Sequence, residues 1–280
     1  MPWLLRVWLN WHRYFLINQP IPTLFVSHGA PLFALAPGAS GAALSGFAKE
    51  VQAQHTLRGV VIMSPHWMSR TPAVMTTPQP ETLHDFGGFP PALYALQYPA
   101  PGEPALAQQV IEYLQSAGIE TQADAKRPLD HGAWVPLMHM FPHADVPVVQ
   151  VALPQSFGPQ EVFAMGQALS RLRSQGILLI GSGSMTHNLS EFAGDGAPTA
   201  PYVLEFSRWI EDRVVANDWE SLLNYASLAP HAQRAHPSDD HFLPLFFALG
   251  AAGDNSKAQV HYLSREVLYG MLAMDSFYLQ

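Results

Sequence analysis

The sequence predicts an α/β fold, a single domain with a largely parallel central sheet flanked by helices. Short apolar, β-branched runs recur without polar alternation, which is typical of strands covered on both faces. Amphipathic segments that end at a glycine lie between these runs, as expected for capped helices. The 280 residues, 48% apolar and 13% charged, are enough to bury a sizeable core, although length alone leaves two domains open.

The predicted strands and helices alternate, which favours a parallel sheet with helices on its faces. The strands are predicted at 22–27, 59–64, 146–153 and 176–181, with a weaker candidate at 257–263. Helices are predicted at 103–118, 159–176 and 200–218, and a fourth begins at His241. The proline-rich, aromatic segment 71–101 is predicted to be one long structured loop, and loops of that length tend to be functional.

Composition excludes several classes of protein. The chain has no cysteine, so disulfides, thiolate zinc sites and cysteine nucleophiles are excluded. A net charge of −8 gives no basic face for nucleic acid. Residues 1–20 are predicted to be an N-terminal extension before a domain at 21–280. They are apolar but interrupted by Arg6, His12 and Arg13, so neither a membrane span nor a signal peptide is expected, and the expected location is the cytoplasm. A helix lying on a membrane surface remains an alternative for this extension.

Histidines stand where the predicted strands end. His28 directly follows one strand, His66 lies just beyond another, and His187 lies in the turn after a third. His241 begins an apolar helix after two acids. Because ligands bind at the carboxyl ends of strands in open α/β sheets, we expect these four side chains to meet in one crevice.

Four imidazoles placed together indicate a metal site, because buried polar groups are costly unless something satisfies them. A single histidine at a strand end is more often a hydrogen-bonded structural residue than a ligand. The wide separations exclude a zinc finger or an HExxH motif, and an imidazole set without thiolates suits iron(II), zinc or copper. The segment GSGS at 181–184 lacks the ending of a phosphate loop, so it is interpreted as a tight turn that lets backbone approach the site.

Six motifs in order carry a family resemblance: SHGAP, SPHW, HDFGGFPPALYALQYPAPG, LDHGAWVPL, GSGSMTHNL and DDHFLPLFFALGA. Over residues 22–280 the chain resembles the class III extradiol ring-cleavage dioxygenases, in the branch of the DOPA dioxygenases related to the LigB catalytic subunit. The resemblance implies a LigB-like fold that binds a catechol and O₂ at a non-haem Fe²⁺, with Zn²⁺ as an alternative occupant of the site.

The resemblance also implies roles for individual residues. The metal ligands would be His28, His66 and His241, with Asp240 as the alternative third ligand. His187 would be the catalytic acid/base or a fourth ligand, and His131 a second catalytic histidine that positions substrate or O₂. The substrate pocket would include His84, Phe86, Phe89 and Tyr94.

Other groups could support this site, and two other functions stay open. Asp85 and Asp130 could orient histidines, and Arg70, Lys126 or Arg127 could recognise a substrate carboxylate. The tryptophans of the N-terminal segment could pack on a second subunit, as a homo-oligomer. The alternative functions are a zinc-dependent hydrolase that uses metal-bound water, and a non-catalytic metal-binding protein of the same fold.

Overall fold

The computed structural model describes residues 19–253 and 258–280. The predicted N-terminal extension therefore lies almost wholly outside the described residues. Ten strands are present among the described residues: β1 Thr23–Ser27, β2 Gly59–Ser69, β3 Ala73–Met75, β4 Gln122–Asp124, β5 Val148–Pro154, β6 Ile177–Gly183, β7 Val260–Ser264, β8 Val267–Leu268, β9 Leu272–Ala273 and β10 Ser276–Leu279.

The α-helices surround the sheet, and within the described ranges none is long and apolar enough to cross a membrane. In chain order they are α1 Gly38–Gln54, α2 Pro91–Tyr94, α3 Pro104–Ser116, α4 His131–Met140, α5 Pro159–Leu169, α6 Pro201–Val215, α7 Trp219–Leu223, α8 Tyr225–Leu228, α9 Ala232–Ala235 and α10 Pro244–Ala251. Short 3₁₀ turns occupy Pro31–Ala34, Ser170–Gln175 and Leu189–Glu191.

Eight strands form one sheet in the order β4–β3–β5–β2–β6–β1–β10–β7, and β8 pairs with β9 apart from it. The four central strands β5, β2, β6 and β1 are parallel, whereas β10 and β7 are added antiparallel at one side. Strands β1, β5 and β6 are buried at every residue, because one apolar layer covers each face of the sheet. The predicted α/β fold with a largely parallel sheet is confirmed.

Two hydrophobic clusters fill the layers on the two faces. One joins the sheet to α3, α5, α6 and α10, and the other joins it to α1 and α4. Helices α5 and α10 touch backbone to backbone: a Cβ on Gly166 would overlap the carbonyl oxygen of Phe247 and lie 2.7 Å from the Ala251 nitrogen. Gly250 faces the Phe163 carbonyl in the same way, so this close contact requires both glycines.

Three details differ from the predicted elements. Strand β2 does not stop at residue 64 but continues to Ser69, past an irregularity in its pairing with β5 between Met63 and Met68. His66 therefore lies within the irregular part of the strand rather than after it. Helix α10 begins at Pro244, so His241 lies in the turn before it. The segment 71–101 is not one continuous loop, because β3 and α2 form within it.

The glycine contact between α5 and α10 yields a stability prediction. We expect Gly166→Ala to destabilise the fold by about 1–3 kcal/mol, because the added methyl group meets backbone that cannot rotate away. The control is Gly46→Ala in α1, where no atom lies within 4 Å of the new methyl group. It should stabilise the fold by roughly 0.5–1 kcal/mol through helix propensity. Urea unfolding of both variants measures the difference, and equal midpoints would contradict the prediction.

Candidate metal centre

His28 is placed by the end of β1 and held by β6. Its backbone N–H donates to the Gly183 carbonyl at 3.0 Å, and its Nδ1 lies 3.1 Å from Ser182 Oγ. The Ser182 hydroxyl donates to the Gly132 carbonyl, so it accepts from His28 Nδ1–H. This hydrogen bond fixes the tautomer and leaves a lone pair on Nε2. The ring is almost fully buried, at 2% exposure.

His66 faces His28 from the irregular part of β2. The two Nε2 atoms lie 3.1 Å apart, and His66 Nδ1 lies 3.7 Å from Asp85 Oδ2. The backbone of His66 is held as well, because Arg127 donates to its carbonyl at 3.1 Å. His66 Nδ1 faces Asp85 beyond hydrogen-bond distance, and its Nε2 points at Nε2 of His28.

His131 is the first residue of α4. Asp130 caps this helix, and its Oδ1 accepts from the Ala133 N–H at 3.2 Å. Asp85 Oδ1 accepts twice from His131, from the backbone N–H at 3.0 Å and from Nδ1 at 2.9 Å. The next residue, Gly132, has no room for a side chain. A Cβ there would overlap Ser64 Oγ and lie 2.9 Å from His66 Cδ2. The glycine therefore lets α4 begin directly against the strand that bears His66.

His241 is held against β6 by the segment GSGS. A Cβ on Gly181 would overlap the Pro244 carbonyl, and one on Gly183 would overlap the carbonyl of His241 itself. Ser184 N–H donates to that carbonyl at 2.8 Å. The predicted close approach of backbone at these glycines is confirmed, but the predicted tight turn is wrong, because Gly181 and Gly183 lie within strand β6. His241 Nδ1 lies 2.6 Å from Asp240 Oδ2, which leaves its Nε2 available.

His187 lies flat against His241. The two ring centroids are 3.6 Å apart and the planes are inclined by only 4°. The backbone N–H of His187 donates to the Ala235 carbonyl at 2.9 Å, which fixes the turn after β6. Burial, and then the neighbouring His241, lower the pKa of His187 to about 3, so this imidazole is neutral at physiological pH.

The electrostatics of the cluster favour uncharged rings. Burial is the main cause that lowers the pKa of His28 well below its usual value, and the neighbouring histidines add to the effect. The pKa of His66 is also lowered by burial and by His131 and His241, against the opposing charge of Asp85. A hydrogen bond from His241 keeps the pKa of Asp240 low despite its partial burial, so this carboxylate stays ionised. Neutral imidazole is the form that binds metal ions.

These residues fit a metal ion by the chemistry of their donors. Two nitrogens bound at ~2.0–2.1 Å to a common ion lie within about 4.2 Å of each other, and the Nε2 atoms of His28 and His66 meet that condition. His28, His66 and His131 each offer a nitrogen within 4.8 Å of the others. This group shares two members with the predicted ligand set. The ring of His241 is centred 5.0 Å from that of His66 and 5.6 Å from that of His28.

A cavity of about 590 Å³ is lined by the five histidines, which are buried or half-buried, and by exposed residues such as Phe192 and Asp195, which mark its mouth. Phe86 and Phe89 from the predicted pocket line it. Sequence reasoning missed a second wall from the segments after His187 and after β8. That wall consists of Leu189, Phe192, Asp195, Tyr269, Met271 and Leu272. No local motif marks these residues, and only their order after GSGSMTHN could have suggested the first three.

Other predicted pocket residues lie elsewhere. His84 and Tyr94 do not line the cavity; their ring centroids lie 5.7 and 5.3 Å from that of Phe86, which they support from behind. Tyr98 is buried and donates to the Phe141 carbonyl at 3.1 Å. Arg70 and Lys126 line a different hollow beside β4, so the structure does not place them at the cavity.

Arg127 and Asp130 form a buried support beneath two of the histidines. Arg127 donates to Asp130 Oδ2 at 2.7 Å, and the same oxygen accepts from the amide of Gln150. Asp130 is fully buried, so these donors are what make its charge tolerable. Asp130 caps α4, the helix that begins with His131. Arg127 donates to the carbonyl of His66.

Comparison with known proteins agrees with the family resemblance. A family model described as the catalytic LigB subunit of aromatic ring-opening dioxygenase matches residues 22–272. A 4,5-DOPA dioxygenase extradiol of Beta vulgaris is 38% identical over 85% of this chain and 89% of its own length. Its namesake in Escherichia coli K12 is 34% identical over 82% of this chain and 85% of its own length. A crystal structure of an uncharacterized Escherichia coli K12 protein matches with a TM-score of 0.74 at 28% identity, covering 93% of this chain and all of that one.

Asp85 joins two histidines, and this contact yields a prediction about metal affinity. We expect Asp85→Asn to weaken metal binding by about 10–100-fold, because the carboxylate faces Nδ1 of His66, a predicted metal ligand. Glu120→Gln, an exposed acid that does not line the cavity, should bind metal like the unaltered protein. Competition between protein and a chelator for Zn²⁺ gives both Kd values, and an unchanged Kd for Asp85→Asn would refute this orienting role.

Proposed function

The chain belongs to the LigB family of aromatic ring-opening dioxygenases and is an extradiol ring-cleaving dioxygenase, and on that basis we propose that it opens a catechol with O₂ using Fe²⁺. The ligands in this proposal are His28, His66 and His241, and residues 21–280 form the catalytic domain. The observation that supports it best is the convergence of five buried or half-buried imidazoles in one apolar cavity.

The family motif supports His241 as the third ligand, whereas the nitrogens that lie within 4.8 Å of one another belong to His28, His66 and His131. The ring centroids of His28, His66 and His241 are 5.1, 5.6 and 5.0 Å apart, a spacing compatible with a shared ion. The rings of His66 and His131 are 3.9 Å apart. In this proposal His241 completes the ligand set and His131, beside His66, faces the substrate.

An all-imidazole set suits both Fe²⁺ and Zn²⁺, and the choice decides the chemistry. Held by these residues, Fe²⁺ would supply redox-active Lewis-acid chemistry for the reaction of a catechol with O₂. Both oxygen atoms enter the ring-opened product, so the reaction needs no external reductant. Protein with zinc in the same site is expected to be inactive toward O₂.

The remaining histidines handle protons. His187 is neutral and lies against His241, so its free nitrogen can accept a proton from a catechol hydroxyl and later return it. His131 is fixed through Nδ1 by Asp85, which directs its other nitrogen toward the substrate or O₂. Phe86 and Phe89 give one apolar wall against which the aromatic ring packs and from which water is excluded.

Metal reconstitution tests the reaction itself. The protein is stripped of metal, reloaded anaerobically with Fe²⁺ or Zn²⁺, and mixed with 4-methylcatechol in an oxygen electrode. We expect the iron-loaded protein to consume about one O₂ per catechol and form a yellow semialdehyde, because only iron activates O₂ here. Zinc-loaded protein is the matched control. Metal binding without turnover would favour the non-catalytic alternative, and ester or amide turnover that needs no O₂ would favour a zinc hydrolase.

Histidine variants separate the roles. We expect His187→Gln to keep its iron but lose roughly 10²–10⁴-fold in turnover, since a proton-transfer group contributes about that much. His28→Ala should lose the metal instead, because its nitrogen is removed from the centre of the cluster. Iron content and O₂ uptake are measured on the same samples. A metal-free His187→Gln protein would make His187 a ligand.

The third ligand is tested by a matched pair of substitutions. His241→Ala should lose most of the iron, whereas His131→Ala should retain iron and lose turnover. The reverse result would exchange the two assignments, since His28, His66 and His131 also form a group able to hold an ion.

A further inference from the structure

The charge on the cavity wall is one-sided. Among the described residues that line the cavity, Asp195 is the one carboxylic acid, and no lysine or arginine is present. Arg127 is engaged by Asp130, and Arg70 and Lys126 line another hollow. A substrate substituent that reaches the mouth of the cavity therefore meets a negative charge.

Backbone contacts hold Asp195 at this mouth. It lies between Gly194 and Gly196, both in the left-handed region with φ of 86° and 71°. This turn is fastened on both sides to the turn before β9. Ala193 N–H donates to the Tyr269 carbonyl at 3.1 Å, and Ala200 N–H donates to the Gly270 carbonyl at 2.8 Å. The exposed carboxylate is thus presented by a fastened loop and not by a free end.

Aromatic rings stand beside this acid. Phe192 and Tyr269 both line the cavity, and their ring centroids lie 4.9 Å apart. Burial raises the pKa of Tyr269, and the charge of Asp195 adds to the rise, so the two groups share one electrostatic environment. A carboxylate next to aromatic faces is the chemistry that binds an ammonium group, by ion pairing and by cation–π attraction.

We propose that Asp195 is a specificity-determining residue that selects catechols whose ring substituent carries an ammonium group and disfavours those that carry a carboxylate. The inference rests on the proposed function, because it assumes a catechol anchored at the histidine end of the cavity. A catechol with an amine is preferred to a neutral one, and a neutral one to a catechol with an acid. An amino-acid substituent, which has both charges, falls between the amine and the acid.

The test compares three catechols that differ in substituent charge: dopamine, 4-methylcatechol and 3,4-dihydroxyphenylacetate. In Asp195→Asn, the ratio of kcat/KM for dopamine to that for 4-methylcatechol should fall about twofold to fivefold, as expected for an exposed ion pair. The ratio for the carboxylate over 4-methylcatechol should rise. Glu120→Gln removes an equal charge outside the cavity and should leave both ratios unchanged.

Salt dependence provides an independent measurement. Because Asp195 is exposed, the dopamine preference of the unaltered protein should weaken as ionic strength rises, and Asp195→Asn should show little of this dependence. Ratios that Asp195→Asn leaves unchanged would overturn the proposal, and so would equal shifts in Glu120→Gln. Those shifts would show a general effect of net charge.

Binding without turnover keeps the proposal separate from the proposed function. Kd values for the three catechols are measured by anaerobic titration of zinc-loaded protein, which requires no reaction with O₂. If iron-loaded protein turns over no catechol, the proposed function fails while the Kd ratios still decide the role of Asp195. If turnover occurs and the ratios do not respond to Asp195→Asn, only the specificity assignment fails.

Discussion

Burial of imidazoles constrains this molecule more than any other interaction. His28, His66, His131, His187 and His241 line one cavity. Burial is the main cause that lowers the pKa of His28, His66 and His187, and the neighbouring imidazoles add to the effect. The cluster is therefore stable as neutral rings whose lone pairs converge. Converging lone pairs also repel each other unless a cation or proton lies between them. The same constraint that suppresses protonation thus prepares the site for a metal ion.

Hydrogen-bond partners outside the cluster decide which nitrogen three of the rings present to the cavity. Asp85 and Asp240 take the Nδ1 side of His131 and His241, and Ser182 does the same for His28. The Nε2 side remains for the cavity in each case. Asp130 acts one step further out, because it fixes the start of α4 and holds the guanidinium of Arg127, which in turn supports the backbone of His66. The site depends on charges that never face the substrate.

The cavity divides its work between its two ends. The histidines offer nitrogen lone pairs on one side, and the rest of the wall is mainly aromatic and aliphatic. A planar ring with two adjacent oxygens matches this division, since the oxygens meet the histidines while the ring meets Phe86 and Phe89. The open end has a different chemistry, with Asp195 beside Phe192 and Tyr269. In the proposed function, a substituent on the catechol ring is the part that reaches this end.

The sequence by itself predicted the parallel strands at the centre of the sheet and the strand-end positions of His28 and His187, because buried strands are encoded over a few neighbouring residues. Its six motifs predicted the family. Strands β3, β4 and β10 were not predicted. The sequence also indicated why glycines precede and follow Ser182, since close backbone approach needs a residue without a side chain.

Only the tertiary structure decided the rest. The stacking of His187 on His241, the position of His131 beside His66, and the displacement of His84 and Tyr94 behind Phe86 depend on packing between distant segments. The mouth joins residues 189–195 to residues 269–272, which share no local pattern. Side-chain direction in such loops is set by the contacts of the folded chain, and those contacts exist only once the sheet has brought its ends together.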